Sequence, residues 1–477
     1  MSLDVLTQVW SLVKTFTQVP AYHLLLEGIL FVVIGGLLVR RVQNRSRKVR
    51  AEKFCKEEEE ELLSEWEPEP LVPEYDLNHP ALHVPVLDQK AGKYLNIFGE
   101  KCINFSTHNY LGFAGNQEIE QAAIECVKQY GVGSCGPRAF YGTADVHVHL
   151  EEKLAEFFGA EQAVLYSYGF STISSAIPAY AKKGDVIFAD EMVQFPIQKA
   201  FDASRSKIRY FKHNNVDHLE QLLLQQAQED KKNPKQAKVS RRFLVVEGIY
   251  MNTGSICKLD QMIAIKKKYK LRLMIDETIS FGTLGANGRG ITEHFNISIS
   301  DVDLIMATLE HSMGSIGGFC VGSSYVVEHQ TLAGLGYCFS ASLPPMFAAA
   351  VLKAIELMEN NIDMFEELRK KCIYVTELFT NMSGIELVGD SISPIKHIRL
   401  KSPYLMECRE EQTSLLRNLV DKAREKKIAL VLASYLEHSE VSLPPVSIRV
   451  AISNLLTEQD IAESHAAIKD IVDEMFL

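Results

Sequence analysis

The sequence lacks paired cysteines. Its nine, at positions 55, 102, 126, 135, 257, 320, 338, 372 and 408, are odd in number and scattered, and no CxxC pair occurs in the 477 residues. A disulfide framework and a cysteine-built zinc site are therefore unsupported, and no metal is expected. Such cysteines read as reduced, mostly buried residues of a body that faces the cytosol. A long basic stripe is also missing and the net charge is −11, which argues against a nucleic-acid partner. There are no internal repeats. What remains is 47% hydrophobic and 23% charged, an ordered globular composition, long enough for one large or two medium domains.

The N-terminus departs from that average. Leu3, Leu6, Val9, Trp10, Val13 and Phe16 recur at helical spacing, which suits a helix lying in a membrane interface. Tyr22–Val39 is then nearly all apolar, and its 18 residues reach about 27 Å, enough for a thin bilayer. Glu27 interrupts the run near one end, where it can snorkel or pair. Arg40, Arg41, Arg45, Arg47, Lys48 and Arg50 follow. A signal peptide carries its positive charge first, so this order favours a retained single-pass anchor. The positive-inside tendency places the N-terminus in the lumen and the body in the cytosol. Residues 1–50 thus read as an interfacial helix and anchor. Residues 51–100 read as a charged helix, with the acid run Glu57–Glu61, and a proline-rich linker.

From Ile103 apolar runs alternate with helical patterns. Expected strands are Ala163–Ser167, Val186–Ala189, Ile208–Phe211, Phe243–Glu247, Leu271–Asp276, Leu304–Thr308 and Gly318–Gly322. This alternation implies an α/β body with a large, mainly parallel sheet over residues 101–344. A long helix is expected over Met346–Leu368, opening a smaller C-terminal α/β domain over residues 345–477. Ligands of such sheets sit at the carboxyl ends of strands, where Asp276 and Thr308 fall.

The stretch Asp301–Gly322 organises the rest. The strand Leu304–Thr308 leads into a tight, glycine-containing loop at Met313–Gly318, and the earlier run Leu271–Asp276 ends in an acid. This pattern resembles that of one kind of cofactor enzyme, in which the strand-end acid sits under the ring nitrogen of pyridoxal phosphate (PLP) and keeps it protonated, and a lysine after the second strand forms the Schiff base. Here the slot between Glu310 and Ser312 holds His311, and an imidazole cannot form that bond.

Several stretches carry a resemblance: Asn109–Gly112 (NYLG), Gly131–Thr143 (GVGSCGPRAFYGT), Tyr168–Phe170, Glu247–Gly254, Asp276–Gly290, Thr308–Gly318 and Phe339–Pro345 (FSASLPP). Taken in order they resemble the α-oxoamine synthases, enzymes of the PLP-dependent transferase (aminotransferase class I/II) fold that condense an amino acid with an acyl-CoA and release carbon dioxide. The resemblance implies that Asp276 and Thr308 are vestiges of cofactor binding. It also marks departures: Ile279 and Gln194 stand where the family commonly has histidines, His311 replaces the lysine, and Ala341, between Ser340 and Ser342, replaces a phosphate-binding threonine. Asp276 has an alternative reading as a capping or loop-ordering residue, and His311 as a structural histidine. Arg449 reads as a carboxylate-binding arginine or a sheet-edge salt bridge.

In this family two subunits line both active sites with loops from each. The resemblance therefore implies a chain that is inactive alone and completes the site of a lysine-bearing partner holding PLP. Cys135, Arg138, Phe140 and Tyr141 of the GSCGPRAFYGT loop are its expected contribution, with plain packing of the dimer as the alternative. The implied reaction is condensation of L-serine with palmitoyl-CoA to 3-oxosphinganine, CO2 and CoA. Small activating subunits, ORM-type regulators and the endoplasmic-reticulum membrane are implied partners. A self-sufficient synthase and a membrane scaffold with no share in catalysis are the alternatives.

Overall fold

Seven short apolar runs become the seven strands of one sheet. The computed structural model describes residues 21–49, 56–72, 82–380, 382–402 and 408–476. They fall into two units, residues 1–84 and 85–477.

In the first unit a helix spans Ala21–Val49. Every side chain described on it, Leu25 to Arg41, is exposed. Among the described residues no helix is long and apolar enough to cross a membrane. The expected span over Tyr22–Val39 is helical, and its described side chains, residues 25–39, are exposed. The acid run lies in a second helix, Lys56–Glu65. The interfacial helix expected before residue 20, and the linker parts at 50–55 and 73–81, lie outside the described residues.

The strands of the second unit are β1 (Tyr94–Ile97), β2 (Glu100–Asn104), β3 (Gln162–Tyr166), β4 (Val186–Asp190), β5 (Lys207–Phe211), β6 (Arg242–Glu247), β7 (Arg272–Asp276), β8 (Leu304–Thr308), β9 (Gly318–Gly322), β10 (Ile385–Val388), β11 (Ile395–Leu400), β12 (Ile428–Ala429), β13 (Val431–Leu432) and β14 (Ile448–Ala451). The large sheet has the order β3-β9-β8-β7-β6-β4-β5. Its β5, β4, β6, β7 and β8 are mutually parallel, and β9 runs against β8 and β3. β4, β8 and β9 are buried along their whole length, because helices cover both faces of a parallel sheet and leave no solvent face to alternate with. All seven expected strands are present. Since β3, β4, β6, β7 and β8 point the same way, Tyr166, Asp190, Glu247, Asp276 and Thr308 end along one edge.

The C-terminal part forms an antiparallel sheet, β10-β11-β14-β13. A third sheet, β1-β2-β12, pairs the start of this unit with its C-terminal part through Ile103↔Ile428. The expected helix over Met346–Leu368 is two helices, Pro345–Asn360 and Asp363–Leu378. Asn361 breaks them, with backbone angles of −139° and 73° that no α-helix accepts. One apolar core runs from Phe105 to Phe476.

Candidate functional site

The carboxyl edge of the large sheet gathers acids. Glu247 and Asp276 end adjacent strands in register. Asp276 is 1% exposed. One of its oxygens accepts from the Gln194 side-chain amide. The other accepts from the Thr278 backbone N–H at 2.9 Å and the Thr278 hydroxyl at 2.5 Å. Glu247 accepts from the backbone N–H of Gln194 at 2.7 Å and of Met251 at 2.9 Å. Burial raises both above the usual carboxylate range, Asp276 to about 6 against the hydrogen bonds from Thr278 and Gln194, and the neighbouring Asp276 adds to the rise of Glu247. Asp190 accepts from the backbone N–H of Met192 at 2.9 Å and of Asn214 at 2.8 Å, and pairs with His213 Nδ1 at 2.9 Å. Glu277 points elsewhere, accepting from Ser280 and from Ile291 N–H, and burial pushes it up to about 7.

His311 follows β8 on the loop closed by Gly317. Its ring lies 4.3 Å from that of His108, tilted by 31°, and its Nδ1–H reaches the Thr278 carbonyl at 3.4 Å. His108 Nδ1 is 2.6 Å from the Tyr110 hydroxyl. Burial lowers His311 to about 4 and lowers His108 as well, so both rings are neutral at pH 7. The bonded His311 nitrogen meets a carbonyl and no carboxylate among the described residues, and a base this weak is ill-suited to take a proton near neutrality. The Thr308 hydroxyl donates to the Gly317 carbonyl at 3.1 Å and accepts from Glu310 N–H at 3.2 Å. The helix Gly169–Tyr180 starts beside it, and its first N–H donates to Glu310 Oε1 at 3.0 Å. A Cβ on Gly169 would collide with the Thr308 hydroxyl, so this close approach needs glycine.

The loop expected to reach a partner turns tightly at Arg138–Gly142. Cys135 and Tyr141 hold left-handed backbones, φ 59° and 63°. Tyr141 is fully exposed, Phe140 is 66% exposed and Cys135 is exposed. Arg138 differs. Its guanidinium is 7% exposed and grips Glu151 with two bonds of 2.9 and 2.7 Å. It therefore holds the loop to the helix Asp145–Phe158 instead of projecting outward. The FSASLPP segment docks on the same loop: Ser134 donates to the Ser342 carbonyl at 2.9 Å and Ser342 N–H to the Gly136 carbonyl at 3.0 Å. His147 Nε2–H donates to the Leu343 carbonyl at 2.6 Å. Arg449 donates to the Ser106 carbonyl at 3.0 Å and meets no carboxylate among the described residues, so the sheet-edge salt bridge is not formed there.

Sequence reasoning missed Glu151, Glu310 and His108. Glu151 and Glu310 look like ordinary surface acids until their partners, 13 and 141 residues away, are known. A signal existed for His108, which directly precedes the NYLG stretch.

These residues do not fit PLP. The acid that would meet the ring nitrogen already has donors on both oxygens, the amine is absent, and the helix start near Thr308 already holds a carboxylate.

The family described as Aminotransferase class I and II matches residues 100–468. Serine palmitoyltransferase 1 of Dictyostelium discoideum is 40% identical over 94% of this chain and 93% of its own length. Long chain base biosynthesis protein 1c of Oryza sativa subsp. japonica is 38% identical over 94% of this chain and 91% of its own. The solved serine palmitoyltransferase of Sphingomonas wittichii superposes with a TM-score of 0.73 at 24% identity, covering 82% of this chain and 93% of that one, a likeness of fold.

Proposed function

We propose, from the premise that this chain belongs to the aminotransferase class I and II family, that it is the lysine-lacking subunit of a serine palmitoyltransferase. In that reading it pairs with a lysine-bearing subunit, and the pair condenses L-serine with palmitoyl-CoA to 3-oxosphinganine, CO2 and CoA. The names of its relatives support this assignment. The observation that carries it is a neutral His311, tilted against His108 on the loop after β8, where the resemblance implies a Schiff-base lysine.

PLP, bound by the partner, supplies the electron sink for decarboxylation and carbon–carbon bond formation. This chain supplies shape. Arg138 and Glu151 fix the base of the loop, and Ser134 and Ser342 tie it to the FSASLPP segment. The outcome is a presented tip of Cys135, Phe140 and Tyr141. Left-handed backbones at two exposed non-glycine residues cost roughly 1 kcal/mol or more each, a cost that suits a tip shaped for a neighbour. The tip would wall the partner's cleft, orient the acyl chain and exclude water.

The proposal extends to a membrane location at the endoplasmic reticulum, body cytosolic, supported by the apolar run Tyr22–Val39 of the helix Ala21–Val49 and the arginines that follow that run. That helix is also the natural contact for small activating subunits and ORM-type regulators. Co-purification of the tagged full chain tests the assignment: the expected companion carries the lysine and the PLP. Recovery of a fully active chain with no companion sinks it.

A further inference from the structure

We infer that the cofactor cleft inherited by this chain is filled from within: the Glu310 carboxylate takes the place of a phosphate, and the Gln194 amide takes the place of a ring N–H donating to Asp276. The inference rests on family membership and not on the identity of the companion subunit.

The anion position comes first. The helix Gly169–Tyr180 begins at the carboxyl end of β3, and no side chain of Tyr168 caps it. A helix start of this kind, at the carboxyl edge of a parallel sheet, attracts an anion through its free N–H groups and dipole. Here the anion belongs to the chain. Glu310 Oε1 accepts the Gly169 N–H at 3.0 Å. The Thr308 hydroxyl, the other donor at this spot, gives its hydrogen to the Gly317 carbonyl. A tethered carboxylate acts at high effective concentration. A phosphate arriving there meets a like charge and donors already in use.

The ring end is closed in the same manner. A carboxylate such as Asp276 would accept one hydrogen bond from a pyridinium N–H. Gln194 supplies an N–H of neutral charge to that oxygen, and Thr278 occupies the other with two donors. The backbone N–H of Gln194 is itself anchored on Glu247 at 2.7 Å, so the amide is held from both ends of its residue. The third contact, the amine, is replaced by an imidazole lying against His108. All three places where the coenzyme would be held carry groups of this chain that its own neighbours already hold.

The consequence is specific. Returning the lysine alone does not restore PLP binding, because the other two positions stay filled. The test uses the complex of the full chain with its companion. His311→Lys is compared with the triple variant His311→Lys/Gln194→His/Glu310→Ser. Each complex is incubated with PLP, reduced with borohydride and digested, and the phosphopyridoxyl label is assigned to peptides by mass spectrometry. The expected result is label at position 311 in the triple variant at least about tenfold above the single variant, since like-charge contact alone costs more than that factor. Equal labelling of the two, or none in either while the companion is labelled, overturns the inference. If the triple variant does not assemble, His311→Lys/Glu310→Gln is compared with His311→Lys in its stead: it removes the charge with little change of shape, and labelling no higher than the single variant counts against the inference. Failure of the subunit assignment would look different: the companion would carry no label.

Discussion

The Arg138 guanidinium and the Glu151 carboxylate face each other in a two-bonded, nearly dry ion pair, with bonds of 2.9 and 2.7 Å and side chains 7% and 16% exposed. Glu151 also accepts the Leu165 N–H at 2.9 Å, so the pair joins the loop, the helix Asp145–Phe158 and strand β3. Taking away one partner strands the other charge. Arg138→Ala or Glu151→Ala should each lower unfolding stability by about 3 kcal/mol. The double variant should cost less than the sum of the two. Denaturant melts of the four proteins check this, and strict additivity would deny the coupling.

Tyr141 offers the opposite case. Its side chain is fully exposed and makes no packing contribution within this chain. Tyr141→Ala should leave stability within about 0.5 kcal/mol. Turnover of the complex should fall, or its amino-acid selectivity shift, by roughly fivefold, the size of one good interface contact. A scaffold with no share in the partner's site predicts unchanged kcat, KM and selectivity.

Glu277 makes stability depend on pH. Burial raises it to about 7, so the folded chain binds a proton that the unfolded chain releases above its ordinary value of 4.5. The contribution is fully present below pH 4.5 and is lost as pH rises through about 7. Glu277→Gln should therefore flatten the decline in melting temperature across that window. A decline as steep in the variant as in the parent would assign the effect to other groups.

His311 has the reverse sign. The folded state keeps it neutral down to about 4, whereas the unfolded chain protonates near 6.5, so its share of stability grows as pH rises from about 4 to 6.5. His311→Asn should remove that rise and leave turnover of the complex within about twofold, because its one ring hydrogen is turned to the Thr278 carbonyl and its other nitrogen, with a pKa of about 4, is a weak base. A collapse of turnover would instead mark it as a catalytic group in its own right.

Much of this was legible from local pattern. The central sheet strands β4, β8 and β9 are continuous apolar runs, and Asp276 and Thr308 fall at strand ends because hydrophobicity stops there. What could not be read was pairing at a distance. Gln194 and Asp276 are 82 residues apart, and nothing in either neighbourhood announces that the amide will take up the acid. Arg138 looked like a group free to reach outward until Glu151, on the next helix, claimed it. The helix expected over Met346–Leu368 kept its apolar spacing through Asn361, where the backbone leaves the helix.

The central claim is that this polypeptide has no reactive centre of its own. The most direct measurement is made on the full chain purified without a companion and supplied with PLP, L-serine and palmitoyl-CoA. The account predicts no visible absorbance band that survives gel filtration and no 3-oxosphinganine. A retained band together with product from the lone chain would contradict it.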